Sequence, residues 1–187
     1  MSRDALCLLM ILVIALLSTG CVQEKTTLTT TQTPDLQYGL KYKVKVIDVI
    51  DGDTIIVQFP DGRIEKVRLL GIDTPEKKAG KNRPYEYDDI TDLNYLAKWG
   101  IIATEFTRSM LEGKEAYIEF DENAGLRDRF GRLLAYVYLE NGTDFNALLV
   151  ENGFARVYVE GEFKKEDYYL VLEKEAMENR RGLWNYT

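Results

Sequence analysis

Residues 51–76 read DGDTIIVQFPDGRIEKVRLLGIDTPE. Asp53 stands at the head of one β-branched run, Arg68 lies inside a second, and Asp73, Thr74 and Glu76 follow the second run directly. Between the runs, Pro60-Asp61-Gly62-Arg63 has the chemistry of a tight turn, so residues 54–59 and 64–72 are expected to form a hairpin. A hairpin turning there returns the end of its second strand to the start of its first and makes neighbours of Asp53 and Asp73. Two adjacent carboxylates repel, and they either share a proton or hold a cation. Hard oxygen donors without histidine or cysteine select Ca²⁺ or Mg²⁺ over zinc. The same aspartates also suit ordinary turn and strand-end capping. Arg68 needs an anion, either a nearby Asp or Glu or a phosphate beside the cation. Strand alternation puts Arg68 on the face of Leu70 and Ile72, so facing a cleft requires a bulge at Gly71.

The elements that position these residues belong to a chain of 187 residues, a length that suits one domain plus appendages. A hydrophobic content of 45% and twelve tyrosines exclude a disordered chain, and a formal charge of −7 excludes coating of nucleic acid by bulk electrostatics. Any polyanion must be held locally. The absence of histidine removes Ser-His-Asp and Cys-His catalysis and histidine metal sites together. Cysteine occurs only at Cys7 and Cys21, so the folded part has neither a disulfide framework nor a cysteine zinc site.

The apolar run 5–17 has the length of a signal-peptide core and is shorter than the roughly 20 residues of a membrane span. It ends at Ser18-Thr19-Gly20-Cys21, which resembles a lipoprotein cleavage box with Cys21 as the lipid-bearing residue. A cleaved secretory signal and an uncleaved anchor are the alternatives. Residues 26–33, almost all threonine and glutamine, cannot bury enough apolar area to fold and read as a stalk. The expected organisation is a signal peptide over 1–20, a disordered linker over 21–37 carrying lipidated Cys21, and a folded domain over 38–187. Asn141-Gly142-Thr143 and Asn185-Tyr186-Thr187 match the glycosylation sequon, in keeping with export.

Within that domain, residues 41–47 alternate lysine with apolar side chains, the pattern of a half-buried strand. Its lysines either protect a sheet edge or contact nucleic acid. A long polar loop covers about 74–96. Trp99, Ile102, Ala103, Phe106 and Met110 then recur at helical spacing as a core stripe, stopped by Gly113. Strands are expected over 116–120 and 133–139, flanking a loop with Arg127, Arg129 and Arg132. Asp144 can cap a helix through Asn152, and Asp167 can start another to Arg180. This order suits a five-stranded OB-type β-barrel with about three helices, with an α+β sheet as the alternative.

Three blocks in order resemble the staphylococcal nuclease (thermonuclease) family: Ile50-Asp51-Gly52-Asp53-Thr54, the run from Val67 to Glu76 (VRLLGIDTPE), and the run from Asp128 to Tyr136 (DRFGRLLAY). Asn146-Ala147-Leu148-Leu149, Gly153-Phe154-Ala155 and Gly182-Leu183-Trp184 extend the resemblance over about residues 40–185. It implies the OB-fold and a Ca²⁺-dependent nuclease that cleaves DNA and RNA, single-stranded or frayed, to 3′-phosphate ends. Asp53 and Asp73 would be the calcium carboxylates, and Thr74 a ligand through its backbone carbonyl. Glu76 would orient or deprotonate the attacking water, and Arg68 and Arg132 would grip the scissile phosphate. Phe130 stands where the family often has tyrosine, which leaves a stacking ring without the hydroxyl. Arg129 and Tyr158 are further candidate substrate contacts, as are Lys77 and Lys78 in a loop that continues through Lys81 and Arg83 into the acidic segment 86–92. The expectation is a monomeric surface nuclease, membrane-anchored through Cys21. Its rivals are a non-catalytic barrel binding nucleic acid or oligosaccharide, and a calcium-stabilised surface adaptor.

Overall fold

The computed structural model describes residues 35–187; the expected signal peptide, Cys21 and the threonine-rich stretch 26–33 lie outside them. In chain order the elements are β1 (Lys41–Asp51), β2 (Thr54–Gln58), β3 (Ile64–Leu69), β4 (Ile72–Asp73), α1 (Leu93–Leu111), β5 (Glu115–Glu119), β6 (Leu133–Leu139), α2 (Phe145–Glu151), β7 (Arg156–Val157) and α3 (Glu166–Glu178). Strands β1-β2-β3-β6-β5 close into a barrel. The β3–β6 pair is parallel and the others are antiparallel. The protein therefore has the mixed five-stranded OB-type barrel with three helices, and the α+β sheet is set aside. Leu36 already packs on the barrel core, and Tyr38 bridges to Phe120.

Alternation places Val44 and Val46 inside the barrel and Lys41, Lys43 and Lys45 outside. The edge-strand reading of these lysines is corrected: β1 is hydrogen-bonded on both flanks, to β2 and to β5. Lys43 pairs with Glu115 at 2.5 Å, and Lys41 lies over the Tyr138 ring. Register shifts between Val46 and Asp48 and between Val49 and Asp51 bend the eleven-residue strand so that it wraps the barrel. Inside, Val46, Ile55, Val57, Val67, Ile118 and Leu133 are fully buried, each contributing about 1.5–3 kcal/mol through removal of its side chain from water.

The second hairpin strand stops at Leu69 rather than Ile72. Gly71 adopts φ +78°, a left-handed turn conformation that ends β3 and sends β4 out of the barrel to pair with β7. A Cβ on Gly71 would also come within 2.5 Å of the Phe163 ring. No bulge within one strand is needed, because the turn uncouples Asp73 from the alternation that governs Arg68.

Helix α1 begins at Leu93, where Asp92 accepts from the backbone N–H groups of Asn94 and Tyr95, so the preceding loop is shorter than expected. Its buried line is Leu96, Gly100, Ala103, Thr104, Thr107 and Leu111, while Trp99, Ile102, Phe106 and Met110 are half-buried to one side. Between Leu96 and Leu111 the line is built of small side chains and threonines because this part of the face meets backbone. Thr107 Oγ1 donates to the Gly52 carbonyl at 2.7 Å. Trp99 joins a second small core of Tyr87, Ile90, Leu96 and Leu183. The acidic segment 86–92 thus hides two apolar anchors, Tyr87 and Ile90.

Asp144 caps α2 as expected, accepting from Ala147 N–H, and also takes Lys165 Nζ at 2.7 Å and the Tyr169 hydroxyl, tying α2 to α3. Helix α3 starts at Glu166 and ends at Glu178, so Asp167 sits in its first turn rather than at its cap. Asn146, fully buried, accepts from Val137 N–H at 3.0 Å and donates to the Leu70 carbonyl at 2.9 Å. It fixes the chain at the point where β3 leaves the barrel. Asn146→Ala is expected to cost about 1–3 kcal/mol for each buried backbone group left unpaired, read as a lower urea midpoint with an unchanged slope.

Candidate active site

The β2–β3 register pairs Thr54 with Arg68, which aims the guanidinium at the turn residue Asp53. Arg68 Nη1 is in direct contact with Asp53 Oδ1, and Nη2 donates to Asp73 Oδ1 at 2.6 Å. Both acids therefore converge, as expected, but on Arg68: one end of the guanidinium takes each carboxylate. Asp53 Oδ2 accepts from the N–H and hydroxyl of Thr74 at 2.7 and 2.9 Å. Asp53 and Thr74 are each 5% exposed.

Asp73 Oδ2 has two further partners that the sequence did not reveal. Arg156, opposite it in the β4–β7 register, donates at 3.2 Å, and the buried Tyr87 hydroxyl donates at 3.3 Å. Burial alone would lower the Arg156 guanidinium, yet its bond to Glu160 and the charges of Asp73 and Glu160 raise it further above its ordinary value. Burial raises the Tyr87 phenol, and the Asp73 charge adds to that. Tyr87 is therefore a fixed neutral donor. No spacing signals either residue, because each acquires its role only when β7 or the 74–92 loop folds against β4.

Glu76 lies beyond Pro75 with its side chain on a cleft of about 890 Å³. Burial raises its carboxyl above the usual range, and the nearby charges of Asp51 and Asp73 add to the effect. Arg68, Asp73, Arg129, Phe130, Arg132 and Tyr158 share that cleft. Of the basic residues expected beyond Glu76, the two lysines that follow it directly go elsewhere. Lys77 Nζ donates to the Ile50 carbonyl at 2.5 Å, Lys78 is exposed ahead of a short turn at Ala79–Lys81, and neither lines the cleft. Arg83 and Glu86 of the same loop do line it.

The Asp128–Arg132 turn presents the other wall. Asp128 accepts from the backbone N–H groups of Phe130 and Arg132 and from Arg132 Nε at 2.7 Å. Burial would raise the Asp128 carboxyl, but these hydrogen bonds outweigh it and hold the group below its ordinary value. Phe130 is 68% exposed, with Arg129 and Arg132 against its ring. Arg127 points away, forking onto Glu65 at 2.7 and 2.9 Å.

Among the described residues no three acidic side chains converge on one point. The donor set at the centre nevertheless has the chemistry a hard cation takes, since Asp53 and Asp73 each turn a carboxylate oxygen onto a single positive group.

The family model described as staphylococcal nuclease homologue matches residues 66–186. The chain belongs to that family. Among curated proteins, a thermonuclease of Staphylococcus hyicus is 34% identical over 142 residues, covering 75% of each chain, and one of Staphylococcus intermedius is 35% identical over 150 residues, covering 78% of this chain and 77% of that one. An uncharacterised protein of Methanocaldococcus jannaschii is 44% identical over 154 residues, covering 78% of this chain and 73% of that one. In this staphylococcal nuclease homologue the match starts inside β3 and runs past α3, so it takes in every residue of the cleft lining but not Asp53.

Arg68→Leu leaves the enclosed Asp53 without its counter-charge and Asp73 with Arg156 alone, and is expected to destabilise the domain by about 3 kcal/mol. Adding Asp53→Asn in that background is expected to recover part of the loss, measured by urea unfolding of both variants in chelator.

Proposed function

We propose that the protein is an endonuclease that hydrolyses phosphodiester bonds of DNA and RNA, using Ca²⁺ held by Asp53, Asp73 and the Thr74 carbonyl. Membership of the staphylococcal nuclease homologue family and relatives named thermonuclease support a nuclease. The observation that carries the finer reading is that Glu76, Arg68 and Arg132 face one cleft beside a converging carboxylate pair.

A phosphodiester repels an incoming hydroxide, and its five-coordinate transition state carries more charge on oxygen than the ground state does. When bound, the cation supplies Lewis-acid neutralisation of a phosphate oxygen. The chain's own residues supply the rest. Glu76, on the same cleft as Arg68 and Arg132, orients the attacking water and accepts its proton, a role worth about 10²- to 10⁴-fold. Arg132, braced by Asp128, donates to the phosphate from the far wall, and preorganised donors of this kind are worth about 10²- to 10³-fold each. Arg68 contributes its guanidinium from the floor. The new bond joins the water oxygen to phosphorus, the bond to the 5′ oxygen breaks, and the leaving oxygen takes up a proton. The products are a 3′-phosphate and a 5′-hydroxyl.

Phe130, exposed between two arginines, offers a stacking face to an unpaired base, in keeping with single-stranded or frayed substrate. Tyr158 lines the same cleft as a second ring. The remaining part of the proposal rests on the sequence: export, with Cys21 lipidated and the monomeric enzyme held at the membrane surface. Mass spectrometry of the mature N-terminus tests it, and an unmodified Cys21 removes the anchor.

The full-length chain, purified in mild detergent, is expected to cleave single-stranded DNA and RNA in Ca²⁺, to stop in chelator and to leave 3′-phosphate ends. Glu76→Gln is expected to lower kcat by about 10²- to 10⁴-fold while thermal unfolding is unchanged. Binding without cleavage by the parent chain in any of Ca²⁺, Mg²⁺ or Mn²⁺ would favour the non-catalytic barrel. Independently of activity, Ca²⁺ is expected to raise Tm in the absence of nucleic acid, and Asp73→Asn to abolish that rise.

A further inference from the structure

Asn82 is a primary amide that is 6% exposed within an otherwise polar surface loop. Its Oδ1 accepts from the Glu76 N–H at 2.7 Å. Its Nδ2 donates to the Glu76 carbonyl at 2.8 Å and to the Lys78 carbonyl at 3.2 Å. A primary amide offers an acceptor and two donors in one plane, and this one spends both kinds on the backbone of a single residue six positions upstream. The 3₁₀ turn at Ala79–Lys81 has no side-chain cap, and the Asn82 side chain reaches past it to Glu76.

Helix α1 closes on the same stretch of backbone. A Cβ built on Gly100 would lie 2.4 Å from the Pro75 carbonyl oxygen, 2.7 Å from the Glu76 carbonyl carbon and 2.8 Å from its oxygen. Backbone at those distances cannot give way as a flexible side chain can, so the helix touches the peptide with no room for a methyl group. The Pro75-Glu76 segment is therefore held by an amide from the loop and a glycine from the helix, while Glu76 lines the cleft. Thr104, one turn along α1, donates to the Gly100 carbonyl at 2.7 Å, which keeps that turn of the helix satisfied where it presses on the loop.

We propose that Asn82 and Gly100 are positioning residues for Glu76, a clamp that fixes the water-orienting carboxylate from a loop that would otherwise let it wander. The inference rests on the nuclease reading of Glu76. A general base must be held to within about 0.5 Å of its productive place, and a misplacement of about 1 Å costs on the order of 10²-fold. Neither residue touches substrate, so the loss falls on turnover and not on substrate affinity.

The test compares the full-length parent with Asn82→Ala, Gly100→Ala, Glu76→Gln and the two double variants in Ca²⁺, using a short single-stranded DNA. Asn82→Ala and Gly100→Ala are each expected to lower kcat by about 10- to 100-fold with KM within about twofold of the parent. In the Glu76→Gln background both are expected to change nothing further, because the group they position no longer acts. Amide hydrogen exchange at Glu76 is expected to quicken in Asn82→Ala. Gly100→Ala reaches the same peptide from the helix and keeps the test open if Asn82→Ala does not fold. Parental kcat in both single variants, or the same fold-loss with and without the Glu76 carboxylate, would overturn the clamp and leave the nuclease reading intact. An inert parent chain would overturn the nuclease reading and the clamp with it.

Discussion

The site is organised by one charge arrangement: a guanidinium caught between two carboxylates from the two ends of a hairpin. Asp53 and Asp73 cannot approach each other uncompensated in an enclosed place, and Arg68 answers both at once. Its aim is set by strand register, since the residue opposite Thr54 must point at the turn that holds Asp53. Arg156 then answers the second oxygen of Asp73 from β7, and Glu160 answers Arg156. Each charge in the chain of pairs has a partner on a different element, so the barrel and the β4–β7 pair are tied together electrostatically at the cleft floor, and the Tyr87 hydroxyl joins the loop before α1 to them.

That arrangement depends on the barrel being broken at one point. A continuous β3 would carry Arg68 and Ile72 on one face and turn Asp73 to the other. The left-handed turn at Gly71 ends the strand, and Asn146 takes the Leu70 carbonyl that the barrel ladder gives up there. The short pair β4–β7 then presents Asp73 beside Arg156. Closure of the barrel and departure from it are thus both required: closure supplies the apolar interior, and departure supplies the acid.

Much of this was legible in the residues themselves. Alternation and turn chemistry gave the β2–β3 hairpin, and with it the neighbourhood of Asp53 and Asp73, because both are local consequences of side-chain period and of Asp61-Gly62. Helix caps at Asp144 and the stop at Gly113 were likewise local. The failures were of another kind. The α1 stripe was assigned by hydrophobicity and caught Ala103, but the buried line also takes Gly100, Thr104 and Thr107, whose small side chains suit a face that meets backbone, while Trp99, Ile102, Phe106 and Met110 lie to one side. Lysines on β1 resemble edge protection until the strand's second neighbour is known. Arg156, Tyr87 and Asn82 carry no periodic or motif signal, since their partners lie in other elements or across an irregular loop.

The charge balance of the cleft sharpens the account of how an acidic protein would hold a polyanion. Its lining carries the guanidiniums of Arg68, Arg83, Arg129, Arg132 and Arg156, and the carboxylates of Asp73, Glu76, Glu86, Asp128, Glu160 and Glu162, so the acids slightly outnumber the bases. Most of the bases are also committed: Arg132 to Asp128, Arg156 to Asp73 and Glu160, Arg68 to Asp53 and Asp73. Field strength over the molecule therefore cannot draw in a phosphate, in line with the net charge of −7. A guanidinium with a carboxylate on each end has no fork to offer a third anion. On the proposed reading, a hard cation taking the Asp53 and Asp73 oxygens would do more than polarise a phosphate: it would relieve Arg68 of both partners and turn the local balance positive where the substrate must sit. Cation and substrate affinity would then be linked through one side chain, each favouring the other by the same factor.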